Sequence, residues 1–137
     1  MYICWGLGLT RAIFPEFGWI AVPLWMSWLG AILFSISSLV LLFTFYDLGT
    51  SLKYGLPDKD TRLVTKGLYR FSRHPLYLGV FMVSLSSVIF FPHILNVLVA
   101  GYCITTHYFM IIKEEKFLEK RFGHEWENYK NKVRRFL

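Results

Sequence analysis

Residues 67–79, GLYRFSRHPLYLG, carry the chain from a basic, polar segment into an apolar helix within thirteen positions. Proline disfavours helical geometry at the residue before it and is tolerated in the first turn, where its missing N–H has no intrahelical partner, so His74-Pro75 predicts a helix start at or near Pro75. The first free N–H groups of that helix, with Arg70 and Arg73 just upstream, form a positive mouth suited to a carboxylate or a phosphate. Taken singly, the basic residues also read as an ordinary basic loop beside a membrane.

Outward from this stretch the chain is strongly apolar. Its 137 residues include 13 Phe, 8 Tyr and 5 Trp, and more than half are hydrophobic, which exceeds what a soluble domain of this size carries. A single membrane-embedded domain over residues 1–137, with a motif-bearing core at 64–137, follows. The net charge of +6 does not describe a nucleic-acid surface: apart from Arg11, every Lys and Arg lies between Lys53 and Arg73 or from Lys113 onward. Clustering of that kind marks a membrane face. Cys4 and Cys103 sit in apolar surroundings without metal-ligand spacing, which predicts neither a disulfide framework nor a zinc site.

From Trp19 to Tyr46 the only polar side chains are small hydroxyls, and the run exceeds the ~20 residues that cross a bilayer core. Trp19, Trp25 and Trp28 suit an interfacial belt, and Ala31 with Ser35 predicts a small-residue packing stripe. Residues 1–14 read as an abbreviated spanning or interfacial helix; a signal peptide is the alternative, with poorer support because no basic segment precedes the apolar run. Residues 49–72 are predicted as an aqueous loop, 75–91 and 94–112 as two apolar helices joined at Pro92-His93. This hairpin returns the tail to the side of the basic loop, and the excess of Lys and Arg in both places them in the cytoplasm. The fold class is all-α: a multi-pass membrane helical bundle with a C-terminal hairpin and an amphipathic cytosolic tail.

At 3.6 residues per turn, His107, Ile111, Glu115, Leu118 and Phe122 share one stripe, with Glu114 at its margin. The hairpin brings that stripe beside the start of the Pro75 helix, so a carboxylate near Glu115 approaches Arg73 and His74 in a polar pocket at the membrane surface. Glu114 alone is as well suited to pairing with neighbouring lysines on a solvated helix. His107, two turns deeper, either meets a ligand or bonds a neighbouring carbonyl.

Gly67-x-Tyr69, Arg73-His74-Pro75-x-Tyr77-x-Gly79, Glu114-Glu115-x-x-Leu118 and Phe122-Gly123-x-x-Trp126-x-x-Tyr129, followed by Val133 and Arg135-Phe136, resemble the isoprenylcysteine carboxyl methyltransferase and phospholipid methyltransferase superfamily. Arg-His-Pro-x-Tyr-x-Gly also resembles a segment of NADPH-dependent membrane sterol reductases, and the paired glutamates favour the methyltransferases. The departures are Trp126 in place of a frequent tyrosine, Arg134 in place of a common proline, no trailing proline, and a short amino-terminal half.

The resemblance implies a small membrane enzyme that binds S-adenosylmethionine at its cytosolic face and admits a lipophilic or lipidated acceptor sideways from the bilayer. Cofactor contacts would fall to Tyr69, His74, Tyr77, Gly79, His107, Glu114 and Glu115, with Arg73 and Arg135 as the catalytic cations that place a carboxylate acceptor. An isoprenylcysteine carboxylate is the preferred acceptor; a phospholipid amine or a small thiol is the alternative, and a non-catalytic membrane protein the rival of another class. Membrane lipid is the expected surrounding partner, and no nucleic acid or metal is implied.

Overall fold

The computed structural model describes residues 22–49 and 63–136. The order is α1 (Leu24–Leu48), a short 3₁₀ turn (Gly67–Arg70), α2 (Pro75–Phe90), α3 (Ile94–Phe122) and α4 (His124–Lys132). The fold is thus all-α, and the β pairing among the described residues is a single isolated parallel bridge between Ser72 and Arg134. The expectation for residues 1–14 lies outside the described residues.

α1 turns its bulk outward. Trp25, Trp28, Leu42 and Phe43 are exposed, whereas its buried positions are Gly30, Ser37 and Thr44. These small residues are seven apart and therefore lie on one narrow stripe. An apolar outside over a small, polar inside is the burial pattern of a chain whose solvent is lipid, where close helix contact rather than hydrophobic exclusion holds helices together. The hydroxyls are internally satisfied: Ser37 Oγ donates to the Phe34 carbonyl at 2.8 Å and Thr44 Oγ1 to Val40 at 2.7 Å. The stripe differs from the predicted Ala31–Ser35 pair. Ser35 is exposed and donates at 2.8 Å to the Ala31 carbonyl on its own helix.

α2 begins at Pro75, as the His-Pro step predicts, and packs against both α1 and α3. Ser86 Oγ donates to the Gly30 carbonyl at 2.9 Å across the α1–α2 contact. Gly79 belongs to this contact as well, since a Cβ placed there would stand 2.7 Å from Leu41 Cδ2. The turn into α3 is clamped by Asn96, which is fully buried; its Nδ2 donates to the carbonyls of Ser87 and Phe91, both at 2.9 Å, and its Oδ1 accepts from Ser87 Oγ at 3.1 Å. Two carbonyls at the end of α2, each already accepting one backbone N–H, thereby gain a second partner that ties the turn to α3 where water is scarce.

α1 and α3 are long and apolar enough to cross a membrane. α2, at 16 residues, rises about 24 Å against a hydrocarbon core of about 30 Å. The apolar part of α3 ends near Ile112, yet the helix does not stop there: it runs on through Lys113 to Phe122 before Gly123, at φ 49, breaks it and α4 begins. This charged extension carries the paired glutamates.

Candidate functional site

The segment between the 3₁₀ turn and α2 is held from both sides. The Tyr129 hydroxyl, on α4, donates to the Tyr69 carbonyl at 2.7 Å. The backbone N–H of Arg73 donates to the Arg134 carbonyl at 2.9 Å, and Ser72 Oγ donates to the Arg135 carbonyl at 3.2 Å. The tail therefore lies alongside the loop as a short parallel pairing, and Phe136 packs on Phe81 with ring centres 5.9 Å apart. Arg135 is delivered by this pairing onto α3.

Glu115 is the hub. Its Oε1 lies 3.1 Å from Arg73 Nη1 and 3.2 Å from His74 Nε2, and accepts from Arg135 Nε at 3.2 Å; its Oε2 accepts from Arg135 Nη2 at 2.6 Å. Only 12% of the side chain is exposed. A single carboxylate thus answers two guanidinium groups, that of Arg135 through a bidentate, charge-assisted fork.

Opposing influences meet on His74, which is 3% exposed. Burial disfavours the imidazolium, while Glu115 favours it by a hydrogen bond and by its charge. Arg73 and Arg135 already neutralise that carboxylate and themselves repel a third cation, so burial prevails and the His74 pKa falls to about 4. The ring is neutral near pH 7 and donates Nε2–H to Glu115. Burial likewise pushes the Tyr129 phenol up to about 12 and raises that of Tyr69 still further, so both remain protonated.

Arg73 is 8% exposed and stacks over Trp126, with Cζ 5.7 Å from the ring centre. Trp126 itself is 1% exposed. The ion pair to Glu115 is off the hydrogen-bonding direction: among the described residues, Nε and Nη1 of Arg73 are buried without a hydrogen-bond partner. Buried donors in that condition are costly and mark a place where an acceptor belongs.

The other predicted residues fall around this hub. Tyr77 stands edge-on to His74 at 5.7 Å and to His107 at 6.0 Å, forming a row of rings from the loop into the membrane. Glu114 is 44% exposed, with Oε2 4.0 Å from His74 Nδ1, so it flanks the cluster with a partly open carboxylate. His107 uses Nδ1 on the Cys103 carbonyl at 2.7 Å, the neighbouring-carbonyl alternative, which leaves Nε2 as its acceptor. Gly79 is not brought to the cluster, because its open side is filled by Leu41. Sequence reasoning gave no site role to Ser72, Trp126, Tyr129 or Asp47. Of these only Asp47 carried a signal, being the one charged residue between Glu16 and Lys53.

The sequence profile of a family described as phospholipid methyltransferase matches residues 25–125. The chain is also similar to three curated proteins named protein-S-isoprenylcysteine O-methyltransferase. That of Schizosaccharomyces pombe is 32% identical over 56% of this chain and 33% of its own length. The Dictyostelium discoideum protein is 28% identical over 77% and 46%, and the Saccharomyces cerevisiae protein 34% identical over 56% and 32%. The chain thus spans less than half the length of these relatives. No solved structure matches it.

Proposed function

The chain belongs to the phospholipid methyltransferase family, and from that premise we propose that it transfers a methyl group from S-adenosylmethionine to a lipophilic acceptor at the membrane surface, with a carboxylate of the isoprenylcysteine kind preferred. The observation that carries the reading is Arg73, with two buried nitrogens lacking an acceptor, next along the chain to His74, whose Nδ1 lies 4.0 Å from the partly open carboxylate of Glu114. That donor set fits the group. Glu114 suits the ammonium of the cofactor, the amides at the start of α2 suit its carboxylate, Tyr77 and His107 offer aromatic and acceptor edges along the same row, and Tyr69 stands on the adjoining turn.

Bound there, S-adenosylmethionine supplies a methyl group already activated on a sulfonium, so the protein's share is orientation and exclusion of water, worth up to ~7–11 kcal/mol in favourable cases. Arg73 holds an acceptor carboxylate by the N–H groups that lack partners, and such an acceptor needs no base. His74, neutral, adds no competing charge. Glu115 fixes the direction of Arg73 and, by binding Arg135, locks the tail over the loop; its oxygens are already engaged, so Glu115 acts as organiser and Glu114 as the direct contact. Trp126 and the Phe81–Phe136 pair shut water from behind the cluster.

The names of the curated relatives support an isoprenylcysteine acceptor, and the family description keeps a phospholipid amine as the second reading. Basic residues in the loop and tail support a cytosolic site with three crossings. Titrating the detergent-solubilised protein with S-adenosylmethionine and NADPH in parallel, then following labelled methyl into a prenylated cysteine analogue, total membrane lipid and a panel of water-soluble acceptors, tests all of this. Binding of NADPH alone, or label in the soluble panel alone, would overturn it.

A further inference from the structure

We propose that Asp47 is a positioning residue of this site: from the end of α1 it holds the turn that carries Tyr69 and leads into Arg73 and His74. The inference rests on the reading of the cluster as a cofactor and acceptor site. A carboxylate in the last turn of a helix faces the negative end of the helix dipole, so α1 alone gives no reason for an acid at that place. The reason lies across the loop. Asp47 Oδ2 accepts the backbone N–H of Leu68 at 2.8 Å.

From that contact a continuous path of hydrogen bonds reaches the hub. The Leu68 carbonyl accepts from the amides of Phe71 at 3.0 Å and Ser72 at 3.1 Å; Ser72 Oγ accepts from the His74 amide at 3.2 Å; and the His74 ring meets Glu115. The far side of the turn is tied to α4 through the Tyr129 hydroxyl on the Tyr69 carbonyl. Gly67 completes the fit. It adopts φ +59, which side chains rarely take, and a Cβ there would run into the Asp47 carboxylate. Asp47 and Gly67 are therefore one device, an acid seated against a turn that has been cleared to receive it. Through it the membrane helix α1, which contributes no side chain to the Glu115 cluster, governs where that cluster's loop stands.

The test uses hydrogen exchange over residues 67–74 together with the Kd for S-adenosylmethionine. Asp47→Asn keeps an acceptor and should exchange and bind as the wild type does. Asp47→Ala should speed exchange across the segment and weaken binding by about fivefold, the net value of one hydrogen bond. Gly67→Ala, which displaces the turn with Asp47 in place, should weaken binding at least as much and serves if Asp47→Ala does not fold. As a control, Asn96→Ala, at the opposite end of the hairpin, should lower the thermal midpoint and leave Kd unchanged. Wild-type affinity in Asp47→Ala or in Gly67→Ala would overturn the inference alone; failure of the wild type to bind S-adenosylmethionine would remove the reading beneath it.

Discussion

The guanidinium of Arg135 grips the carboxylate of Glu115 at two points, Nε on Oε1 at 3.2 Å and Nη2 on Oε2 at 2.6 Å, although Arg135 is 37% exposed and Glu115 12%. Their pairing fastens the tail to α3 and, through Oε1, orients Arg73. A lysine cannot reproduce the fork. Arg135→Lys should therefore lower stability by roughly 1–2 kcal/mol, and Glu115→Gln, which leaves buried Arg73 uncompensated, by about 3 kcal/mol or more. Lys116→Gln, on an exposed position, should stay within about 0.5 kcal/mol. Thermal midpoints in detergent compare the three, and equal losses for Glu115→Gln and Lys116→Gln would contradict the hub.

Acid should weaken the protein through His74. Its folded pKa of about 4 lies below the ordinary histidine value of 6.5, so the unfolded chain binds more protons between those values and stability rises with pH there. The contribution is fully present above about pH 6.5 and is lost as pH falls toward 4, amounting to ~2 kcal/mol at pH 5. Unfolding midpoints at pH 7.5 and pH 5 should differ less in His74→Gln than in the wild type. An unchanged difference would mean that the imidazole is charged in the folded state.

Removing Asn96 should open the hairpin at its tip. Asn96→Ala deprives the Ser87 hydroxyl of its side-chain acceptor and removes the second hydrogen bond from the Ser87 and Phe91 carbonyls, at a cost of about 1–2 kcal/mol. Proteolysis or hydrogen exchange around residues 87–96 reports the opening.

Arg73→Ala should lower turnover of a carboxylate acceptor more than it lowers affinity for S-adenosylmethionine. The separation of kcat/KM for the acceptor from cofactor Kd isolates its contribution to placing the acceptor. A loss confined to cofactor affinity would move Arg73 from the acceptor to the cofactor.

Topology is open to direct measurement. In a background lacking Cys4 and Cys103, cysteines at Lys66 and Asn131 should be labelled from one side of the membrane and a cysteine at exposed Ile94 from the other. Labelling of Lys66 and Asn131 from opposite faces would be incompatible with the loop–tail pairing.

The amino-acid sequence determined the elements and the inward side of α3. Apolar runs and the His74-Pro75 step set where α1, α2 and α3 lie, because backbone satisfaction in lipid leaves a long apolar run little choice but helix. On α3 the mixture of charged and apolar residues gives the wheel a phase, and Glu115 at 12% exposure beside exposed Lys116 follows from it. α1 offers no such phase. Ahead of Asp47 in its last turn, all its faces are apolar or small, so hydropathy periodicity cannot distinguish Gly30, Ser37 and Thr44 from Ala31 and Ser35, and only contact with α2 decides. The same holds for Gly79, whose missing Cβ admits Leu41, and for the choice of Arg135 rather than exposed Arg134 as the partner of Glu115. These are contacts between segments distant along the chain, and local pattern carries no information about which side chain a remote backbone will deliver.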